Sequence, residues 1–386
     1  MKRPLEGIRV LDLTHVWNGP ICTMLLGAMG AEIIKIEPPW GSIGRIGQAM
    51  VKGKVSASFV FLNRQKKGIT LNLKDERALR IFKELMKISD VVVENFAPGT
   101  MERLGLSYET LVKINPRIIM ADGSGYGQDG PWSERPSFDP IGRATSGWTY
   151  IAHHPDDPPV MAPDDAVGDT IPGLFLLIGI LVALRHRDLT GEGQRIDVAQ
   201  ADAMLSVLNS FTMWHLAHIT FPQSTGAIRG GPRTIRIGGY YKATDGWIIM
   251  GSAISGKRYD NLVALIGKGP LLDEAGEKNV SEWIANKTCE EIVDVLVKAD
   301  VPAAKVLNLD EVAENPQLKA RHMIVEMEHP LAGDIITSGF PIKFTTLEGA
   351  FTMPDPQLGQ HTEEVLSTLL GYGKEEIERL RKEGAI

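Results

Sequence analysis

The chain has 386 residues, 43% of them hydrophobic and 23% charged, which is the balance of an ordinary globular protein. Its formal net charge of -7 argues against nonspecific binding to nucleic acid, so we expect no nucleic-acid partner. At about 150 residues per domain, this length predicts two or three structural units.

Cysteine usage and hydropathy indicate the compartment. Cys22 and Cys289 lie far apart in the sequence and form no CxxC pair, which favours a cytoplasmic protein. The first residues lead directly into a strand-like run, so we expect no secretory signal. The longest apolar stretch, residues 171–184, is shorter than the roughly 20 residues that cross a bilayer. It therefore predicts a buried helix and no membrane partner.

Strand and helix patterns alternate along the first third of the chain. The predicted elements, in order, are a strand at residues 8–13, a helix opened by Gly19-Pro20 and closed by Gly30, a strand at 32–37, a strand at 68–73, a helix at 75–88, and strands at 90–94 and 118–121. Strands joined through helices form parallel pairs with right-handed connections. The alternation therefore predicts a doubly wound, Rossmann-like α/β domain. The densest basic cluster, Arg64, Lys66 and Lys67, is typical of a solvated turn, with contact to a phosphate as the alternative.

The pattern changes from about residue 221. Glycines crowd residues 226–239, a strand is predicted at 247–250, and helices are predicted at 257–266 and 290–298. These features predict a second, smaller α+β unit. An amphipathic helix is predicted at 374–382, with Ile377 and Leu380 on one face.

A glycine-rich segment at residues 123–130 follows the strand predicted at 118–121. Its third glycine falls two residues after the second, so the spacing is not GxGxxG, and Pro131 and Pro136 interrupt any following helix. We therefore predict a turn-forming loop that lets a ligand approach the backbone, rather than a dinucleotide site.

Two pairs of histidines raise the question of a metal site. His153 and His154 are adjacent, with aspartates at 156–157, and neighbouring side chains in an extended segment point apart. His215 and His218 share a helix face without a nearby Cys, Asp or Glu. We therefore expect no metal site. The sequence also lacks the Gly-x-Ser-x-Gly elbow of a hydrolase triad.

Asp169 stands at the start of the apolar run, in the segment Val167-Gly-Asp-Thr-Ile-Pro-Gly173. Asp is a favoured helix N-cap and Pro is favoured in the first turn, so a helix cap is one interpretation. The same geometry suits a nucleophile, because a carboxylate at the positive end of a helix dipole stays ionised. The N–H groups there, with Gly168 allowing close approach, could stabilise an oxyanion. The local sequence leaves both interpretations open.

Short motifs in a fixed order extend over nearly the whole chain. They are Gly7-Ile-Arg-Val-Leu-Asp-Leu13, Gly19-Pro20, Gly30-Ala-Glu-Ile-Ile-Lys-Ile-Glu-Pro-Pro39, Leu71-Asn-Leu-Lys74, Glu94-Asn-Phe-Ala-Pro-Gly99, Arg103-Leu-Gly105, Gly168-Asp169, Thr190-Gly-Glu-Gly-Gln194, Asn315-Pro-Gln-Leu318 and Leu358-Gly-Gln-His-Thr362. Together they resemble the class III (family III) coenzyme A transferases, also called the carnitine dehydratase / bile-acid-inducible family.

The resemblance implies an enzyme that moves coenzyme A from an acyl-CoA thioester to a small carboxylic acid. Asp169 falls on the family's catalytic aspartate and would carry the coenzyme as an aspartyl-CoA thioester. Coenzyme A enters as a substrate, and no permanently bound cofactor or metal is implied. Phe96 offers an apolar face, and Lys74 and Arg103 offer charge to phosphates. The positions that match the family's coenzyme contacts are His15, Val16, Lys74, Asn95, Phe96 and Arg103.

The resemblance also implies an interlocked homodimer and a large domain built from two separate segments. We expect the large coenzyme A-binding α/β domain to comprise residues 1–205 and a C-terminal segment, 330–386, that returns to it. Linkers and the small α+β domain would occupy residues 206–329.

Two departures from the family bear on the chemistry. Members that use oxalate carry a tyrosine and a glycine-only loop near the active site, whereas this chain has Phe138 and the segment Ile228-Arg-Gly-Gly-Pro232. This argues against oxalate as the acceptor. The related α-methylacyl-CoA racemases use a histidine that would fall near residues 137–139, where this chain has none. An acyl-CoA racemase or isomerase, an intramolecular transferase and a non-catalytic coenzyme A-binding protein stay open as alternatives.

Overall fold

The computed structural model describes residues 3–47, 49–151, 166–220, 239–251, 256–271 and 274–386. The chain forms two compact units, one of Met1–Met213 with Arg321–Ile386 and the other of Trp214–Ala320. The His153-His154 pair and the glycines at 230–231 lie outside the described residues.

The described residues contain strands and helices in alternation. The strands are β1 (Arg9–Asp12), β2 (Glu32–Glu37), β3 (Met50–Val51), β4 (Val55–Ser56), β5 (Lys66–Thr70), β6 (Val91–Glu94), β7 (Ile119–Ser124), β8 (Arg195–Ala199), β9 (Gly239–Ala243), β10 (Gly246–Met250), β11 (Ala303–Lys305), β12 (Ile324–His329) and β13 (Gly333–Ser338). The α-helices are α1 (Asn18–Ala28), α2 (Ala57–Leu62), α3 (Glu76–Lys87), α4 (Thr100–Arg103), α5 (Tyr108–Ile114), α6 (Asp139–Thr145), α7 (Trp148–Ile151), α8 (Val167–Thr190), α9 (Gln200–Ser206), α10 (Asn209–Thr220), α11 (Lys257–Ile266), α12 (Glu274–Ala285), α13 (Cys289–Lys298), α14 (Leu309–Glu314), α15 (Pro316–Ala320), α16 (Thr362–Leu370) and α17 (Lys374–Lys382).

A six-stranded sheet organises the larger unit. Its strand order is β5-β2-β1-β6-β7-β8, and every neighbouring pair is parallel. The order reverses at β1, because the chain continues to β2 and β5 on one side and returns to β6 on the other. The predicted Rossmann-like α/β architecture is confirmed, and the reversal between β1 and β6 is the point where such sheets bind ligands.

Each face of this sheet carries its own hydrophobic core, because successive strand side chains point to opposite faces. On one face, Leu11, Ile34 and Val92 pack with side chains of α3, α5, α16 and α17. On the other face, Val10 and Ile33 pack with side chains of α1 and α8. The helices therefore cover both faces of the sheet.

The smaller unit has a separate antiparallel sheet in the order β11-β10-β9. Tyr241 and Ile248 from this sheet pack with Leu262, Ile284 and Leu296 from α11, α12 and α13. The prediction of a smaller α+β unit is confirmed.

The basic cluster before the third predicted strand is not a solvated turn. Arg64 and Lys66 are both buried, and the strand begins at Lys66 rather than at residue 68. Lys66 Nζ lies 3.0 Å from Asp12 Oδ2 and also donates to Asn63 Oδ1. The ion pair with β1 satisfies the buried charge, and this long-range partner is what allows a lysine to open a buried strand.

Helix α8, Val167–Thr190, is longer than the apolar stretch at residues 171–184 from which it was predicted. It spans 24 residues, and among the described residues it is the one helix that is long and apolar enough to cross a membrane by length and composition. The prediction that this segment is too short to span a bilayer was therefore wrong. Half of its most apolar window is buried inside the protein.

Candidate active site

A cavity of about 300 Å³ opens at the carboxyl ends of the central strands. His15 follows β1, Asn95 and Phe96 follow β6, and Gly123 and Ser124 belong to the end of β7; all five line the cavity. Asp169 from α8 and Gln200 from α9 also line the cavity. The site therefore lies where the strand order reverses.

The loops after β1 and β6 are joined by a reciprocal pair of hydrogen bonds. The His15 N–H donates to Asn95 Oδ1 at 2.8 Å, and Asn95 Nδ2 donates to the His15 carbonyl oxygen at 2.8 Å. The rings of His15 and Phe96 lie 5.5 Å apart between centroids. Val16 has φ 65°, a left-handed conformation that β-branched residues seldom adopt. These contacts fix the predicted coenzyme-contacting residues of both loops on one wall.

Asp169 is the third residue of α8 and not its N-cap. The N-cap is Ala166, with φ 54°. The helix start is capped from α6 instead, since Asp139 Oδ1 accepts the Gly168 N–H at 2.6 Å. The interpretation of Asp169 as a plain cap was therefore wrong, because a distant carboxylate holds the N–H that a local cap would take. Because the Gly168 N–H already donates to Asp139, it is not available to stabilise an oxyanion as the sequence suggested.

A chain of hydrogen bonds holds the Asp169 side chain. Gln200 Nε2 donates to Asp169 Oδ1, and Ser137 Oγ donates to Gln200 Oε1 at 2.7 Å. Trp17 Nε1 donates to the Oγ1 of the neighbouring Thr170 at 2.9 Å. Sequence reasoning missed Ser137, Gln200 and Trp17. The signal that points to Gln200 is its place directly after a parallel strand, at the same sheet edge as His15 and Asn95.

The environment of Asp169 works against ionisation. Burial raises the pKa of the Asp169 carboxyl to about 7, and the Asp139 carboxylate adds to the rise. The Gln200 hydrogen bond and the Arg143 charge oppose it. Arg143 Nη2 lies 2.8 Å from Asp139 Oδ2, which offsets part of the like-charge repulsion. The sequence predicted a carboxylate that stays ionised, whereas the structure describes one that is divided between its two forms near neutral pH. Once ionised, such a carboxylate is more basic than an ordinary aspartate and a stronger nucleophile.

A second cavity, of about 380 Å³, shares His15 and Phe96 with the first. Its walls are largely apolar, and Lys74 lies on them as an exposed side chain that can snorkel its ammonium group into solvent. Arg103 lines neither cavity; its Nη2 donates to the Thr100 hydroxyl at 2.7 Å, and Thr100 lies on the wall of the second cavity.

The predicted site residues therefore separate into two groups. The first cavity brings Asp169 together with His15, Val16, Asn95 and Phe96. The adjoining cavity adds Lys74, and Arg103 stays beside it.

The glycine-rich segment after β7 forms the predicted turn only in its second half. Gly123 still belongs to the strand, while Gly127 and Gly130 have φ values of 90° and 89°. In the part of the chain that the structure describes, no group of three or more His, Cys, Asp or Glu residues could hold a metal ion.

The sequence of residues 5–362 matches the model of a family described as CoA-transferase family III. A formyl-CoA:oxalate CoA-transferase of Streptomyces avermitilis is 33% identical, with 100% of both chains covered. The β subunit of a succinyl-CoA–L-malate CoA-transferase from Chloroflexus aurantiacus is 32% identical over 99% of this chain and 98% of its own. A succinyl-CoA:glutarate CoA-transferase of Mus musculus is 32% identical over 100% of this chain and 90% of its own.

Solved structures agree with these relatives. A CAIB/BAIF family protein from Brucella suis superposes with a TM-score of 0.81 at 28% identity, covering 96% of this chain and 100% of that one. A hypothetical protein from Mycobacterium tuberculosis gives a TM-score of 0.77 at 29% identity, covering 94% of this chain and 98% of that one.

Proposed function

The chain belongs to CoA-transferase family III and is therefore a coenzyme A transferase; from this premise, we propose that it passes coenzyme A from an acyl-CoA thioester to a small carboxylic acid through a thioester formed on Asp169. The observation that carries the proposal is a buried carboxyl on the wall of a cavity that adjoins a second, apolar one. The first cavity has room for the reacting acyl group and the second for the apolar parts of the coenzyme.

The proposed reaction has four steps, each of which conserves charge. The ionised Asp169 attacks the thioester carbonyl, the C–S bond breaks, and a mixed anhydride and a thiolate result. The thiolate attacks Asp169 Cγ, which releases the donor acid as a carboxylate and leaves the aspartyl-CoA thioester. An acceptor carboxylate then attacks Cγ and expels the thiolate. The thiolate attacks the acceptor's carbonyl carbon, so the new acyl-CoA forms and the Asp169 carboxylate returns.

Burial of Asp169 serves this chemistry in a second way. Both the anhydride and the thioester hydrolyse, so the site must keep water from Cγ. Asp169 is 7% exposed, and Phe96 and Trp17 lie on the same wall. We propose that these two aromatic side chains and the bound substrates together exclude water from Cγ.

Coenzyme contacts follow from the two cavities. We propose that His15, Val16, Asn95 and Phe96 line the path of the thioester arm. The cations Lys74 and Arg103 would meet the phosphates at the mouth of the second cavity. Coenzyme A is a substrate in this scheme, and none of the four steps uses a resident cofactor. We place this chemistry in the cytoplasm.

An interlocked homodimer is part of the proposal. Helix α8 exposes an apolar row in the single chain, formed by Leu174, Ile178, Val182 and Leu189. Such a row is more typical of a covered surface than of a solvated helix face. Light scattering after size exclusion should give twice the mass of one chain, and Val182→Arg should lower that value if the row is covered. A monomeric wild-type protein would refute this part of the proposal.

The test of the activity is the Asp169→Asn variant. Coenzyme A exchange from succinyl-CoA and acetyl-CoA is first screened against a panel of small carboxylates with the wild-type enzyme. The variant should lose this exchange and retain the circular dichroism spectrum and coenzyme A binding of the wild type. Hydroxylamine should trap Asp169 as a hydroxamate, detected by peptide mass, only when a donor thioester is present. Substantial residual exchange in the variant would sink the assignment.

Control experiments separate the other activities. Deuterium incorporation at the α-carbon without acid exchange would indicate a racemase. Turnover of a dicarboxylate thioester without a separate acid would indicate intramolecular transfer. Coenzyme A binding without trapping of Asp169 would indicate a non-catalytic protein.

A further inference from the structure

We propose that Gln200 is a catalytic residue, whose side-chain amide binds the one oxygen that stays on Asp169 throughout the reaction and stabilises it when that oxygen becomes an oxyanion. This inference rests on the proposed function and adds a residue and a role to it.

The contact itself is tightly specified. Gln200 is 4% exposed, and its Nε2 donates to Asp169 Oδ1 inside the first cavity. The Ser137 hydroxyl donates to Gln200 Oε1 at 2.7 Å. An ionised carboxylate only accepts hydrogen bonds, so the amide nitrogen must face Asp169 and the amide oxygen must face Ser137. The Asp169 carboxylate therefore fixes the orientation of the Gln200 amide, and the Ser137 hydroxyl satisfies the amide oxygen that faces away from it.

The two carboxylate oxygens of Asp169 have different fates in the proposed reaction. The attacking oxygen becomes the bridge of the first anhydride, and it leaves with the donor acid when the thiolate attacks Cγ. An oxygen of the acceptor takes its place as the second bridge, and it stays on Asp169 when the thiolate attacks the acceptor carbonyl. The other oxygen never leaves Cγ. Because Gln200 occupies Oδ1, Oδ2 is left to attack, and Oδ1 is the oxygen that stays.

The charge on Oδ1 changes during these steps. In the anhydride and in the thioester it is a neutral carbonyl oxygen. Attack on Cγ by thiolate or by acceptor carboxylate makes it a full oxyanion in the tetrahedral intermediate. A hydrogen bond to an oxyanion is about twice as strong as one to a neutral carbonyl. In the steps that attack Cγ, Gln200 therefore stabilises the tetrahedral intermediate more than the anhydride or thioester that precedes it.

Two N–H donors close to Asp169 in the sequence or on the cavity wall are bonded to other acceptors. The Gly168 N–H, which the helix position would otherwise present, donates to Asp139 at 2.6 Å. The Trp17 indole N–H donates to Thr170 at 2.9 Å. Gln200 is the side chain whose donor already meets Asp169.

The experiment compares Gln200→Met with wild type. Methionine keeps the length and apolar volume of the side chain but has no donor. We expect kcat to fall about 100- to 1,000-fold, the usual effect of removing one oxyanion donor, with little change in KM for either substrate. Gln317→Met, at an exposed position in the smaller unit, is the control for the substitution type and should retain wild-type kinetics.

A second readout excludes a merely structural role. Because the Gln200 hydrogen bond lowers the pKa of Asp169, Gln200→Met should move the acid limb of the pH profile of kcat/KM to higher pH. Partial unfolding would reduce the amount of active enzyme and leave the acid limb at the same pH.

Ser137→Ala, a milder change at a half-buried position, should lower kcat by a smaller factor than Gln200→Met. Wild-type kcat and an unmoved limb in Gln200→Met would overturn the inference.

Failure of this inference is distinguishable from failure of the proposed function. If wild type exchanges coenzyme A and Asp169→Asn does not, a fully active Gln200→Met refutes the role of Gln200 alone. If wild type shows no exchange, or Asp169→Asn retains it, the four-step scheme fails and this inference fails with it.

Discussion

Asp139 Oδ1 accepts the Gly168 N–H at 2.6 Å, so the residue that opens helix α6 also caps helix α8. This single contact has two effects on the neighbouring Asp169. It engages the Gly168 N–H at the start of α8, and it holds a second carboxylate close enough to raise the pKa of Asp169. The position and the proton affinity of the proposed nucleophile therefore depend on the same hydrogen bond.

The Gly168→Ala variant tests this packing. An alanine Cβ would lie 2.5 Å from the Asp139 carbonyl oxygen and 2.9 Å from Arg143 Cγ, closer than real contacts allow. Alanine is otherwise the better helix residue, so any loss reports the contact. We expect about 1–3 kcal/mol of destabilisation from overpacking and a clear fall in kcat. Denaturant unfolding and exchange kinetics measure the two effects.

A matched glycine provides the control for that variant. Gly373, before helix α17, has φ -75°, and an alanine Cβ there would have no atom within 4 Å. Gly373→Ala should leave kcat close to wild type and should cost at most about 1 kcal/mol of stability, because Gly373 is the N-cap of α17 and alanine is a poorer N-cap than glycine. Wild-type kcat in Gly168→Ala would contradict the view that α6 positions Asp169.

The pH dependence of the free enzyme should reveal the raised pKa of Asp169. Only the ionised carboxylate attacks, so kcat/KM for the acyl-CoA should rise about tenfold per pH unit below pH 7 and level off above it. The acceptor acid is chosen to ionise well below pH 5. Asp139→Asn keeps an oxygen that can accept the Gly168 N–H but loses the negative charge that raises the pKa of Asp169. The acid limb of the kcat/KM profile should therefore move to lower pH. A profile that is flat from pH 5 to 8 in wild type would refute this assignment.

The same raised pKa predicts an effect on stability. The unfolded Asp169 ionises near pH 4 and the folded one near pH 7, so the unfolded state binds fewer protons between these values. The folded state therefore loses stability as pH rises through this window, by an amount on the order of 2–4 kcal/mol. Asp169→Asn cannot ionise and should melt several degrees above wild type at pH 8, with a much smaller difference at pH 5. Calorimetry at both pH values checks this, and an equal difference at the two would contradict it.

The elements that the sequence predicted best are those with strong local patterns. Strand β2 spans Glu32–Glu37 and helix α17 spans Lys374–Lys382, both as predicted. The start of β5 was predicted two residues late, because Lys66 looks like a surface residue until its partner Asp12 is known. That partner lies 54 positions away, so no local pattern reports it.

In the candidate site, too, the residues with a local sequence signal were predicted and those that depend on long-range packing were not. His15 and Asn95 follow buried strands, and their place at the carboxyl ends of parallel strands brings them together once the sheet order is known. Gln200 and Asp169, which form a hydrogen bond, are 31 residues apart in the sequence. Ser137 and Gln200, which form the next one, are 63 residues apart. Such contacts depend on how α6, α8 and α9 pack. Periodicity and capping rules describe each helix but not that packing.

Lys74 provides the test of the second cavity. Its side chain lies on a largely apolar wall, and we propose that its ammonium group binds a coenzyme phosphate. Lys74→Ala should raise KM for the acyl-CoA about tenfold, the equivalent of one charge-assisted hydrogen bond of about 1.5 kcal/mol, and leave kcat nearly unchanged. The KM of the variant should also depend less on salt. Lys87→Ala, an exposed lysine in the last turn of α3 that lines neither cavity, should match wild type. Equal KM values for both variants would mean that the phosphates bind elsewhere.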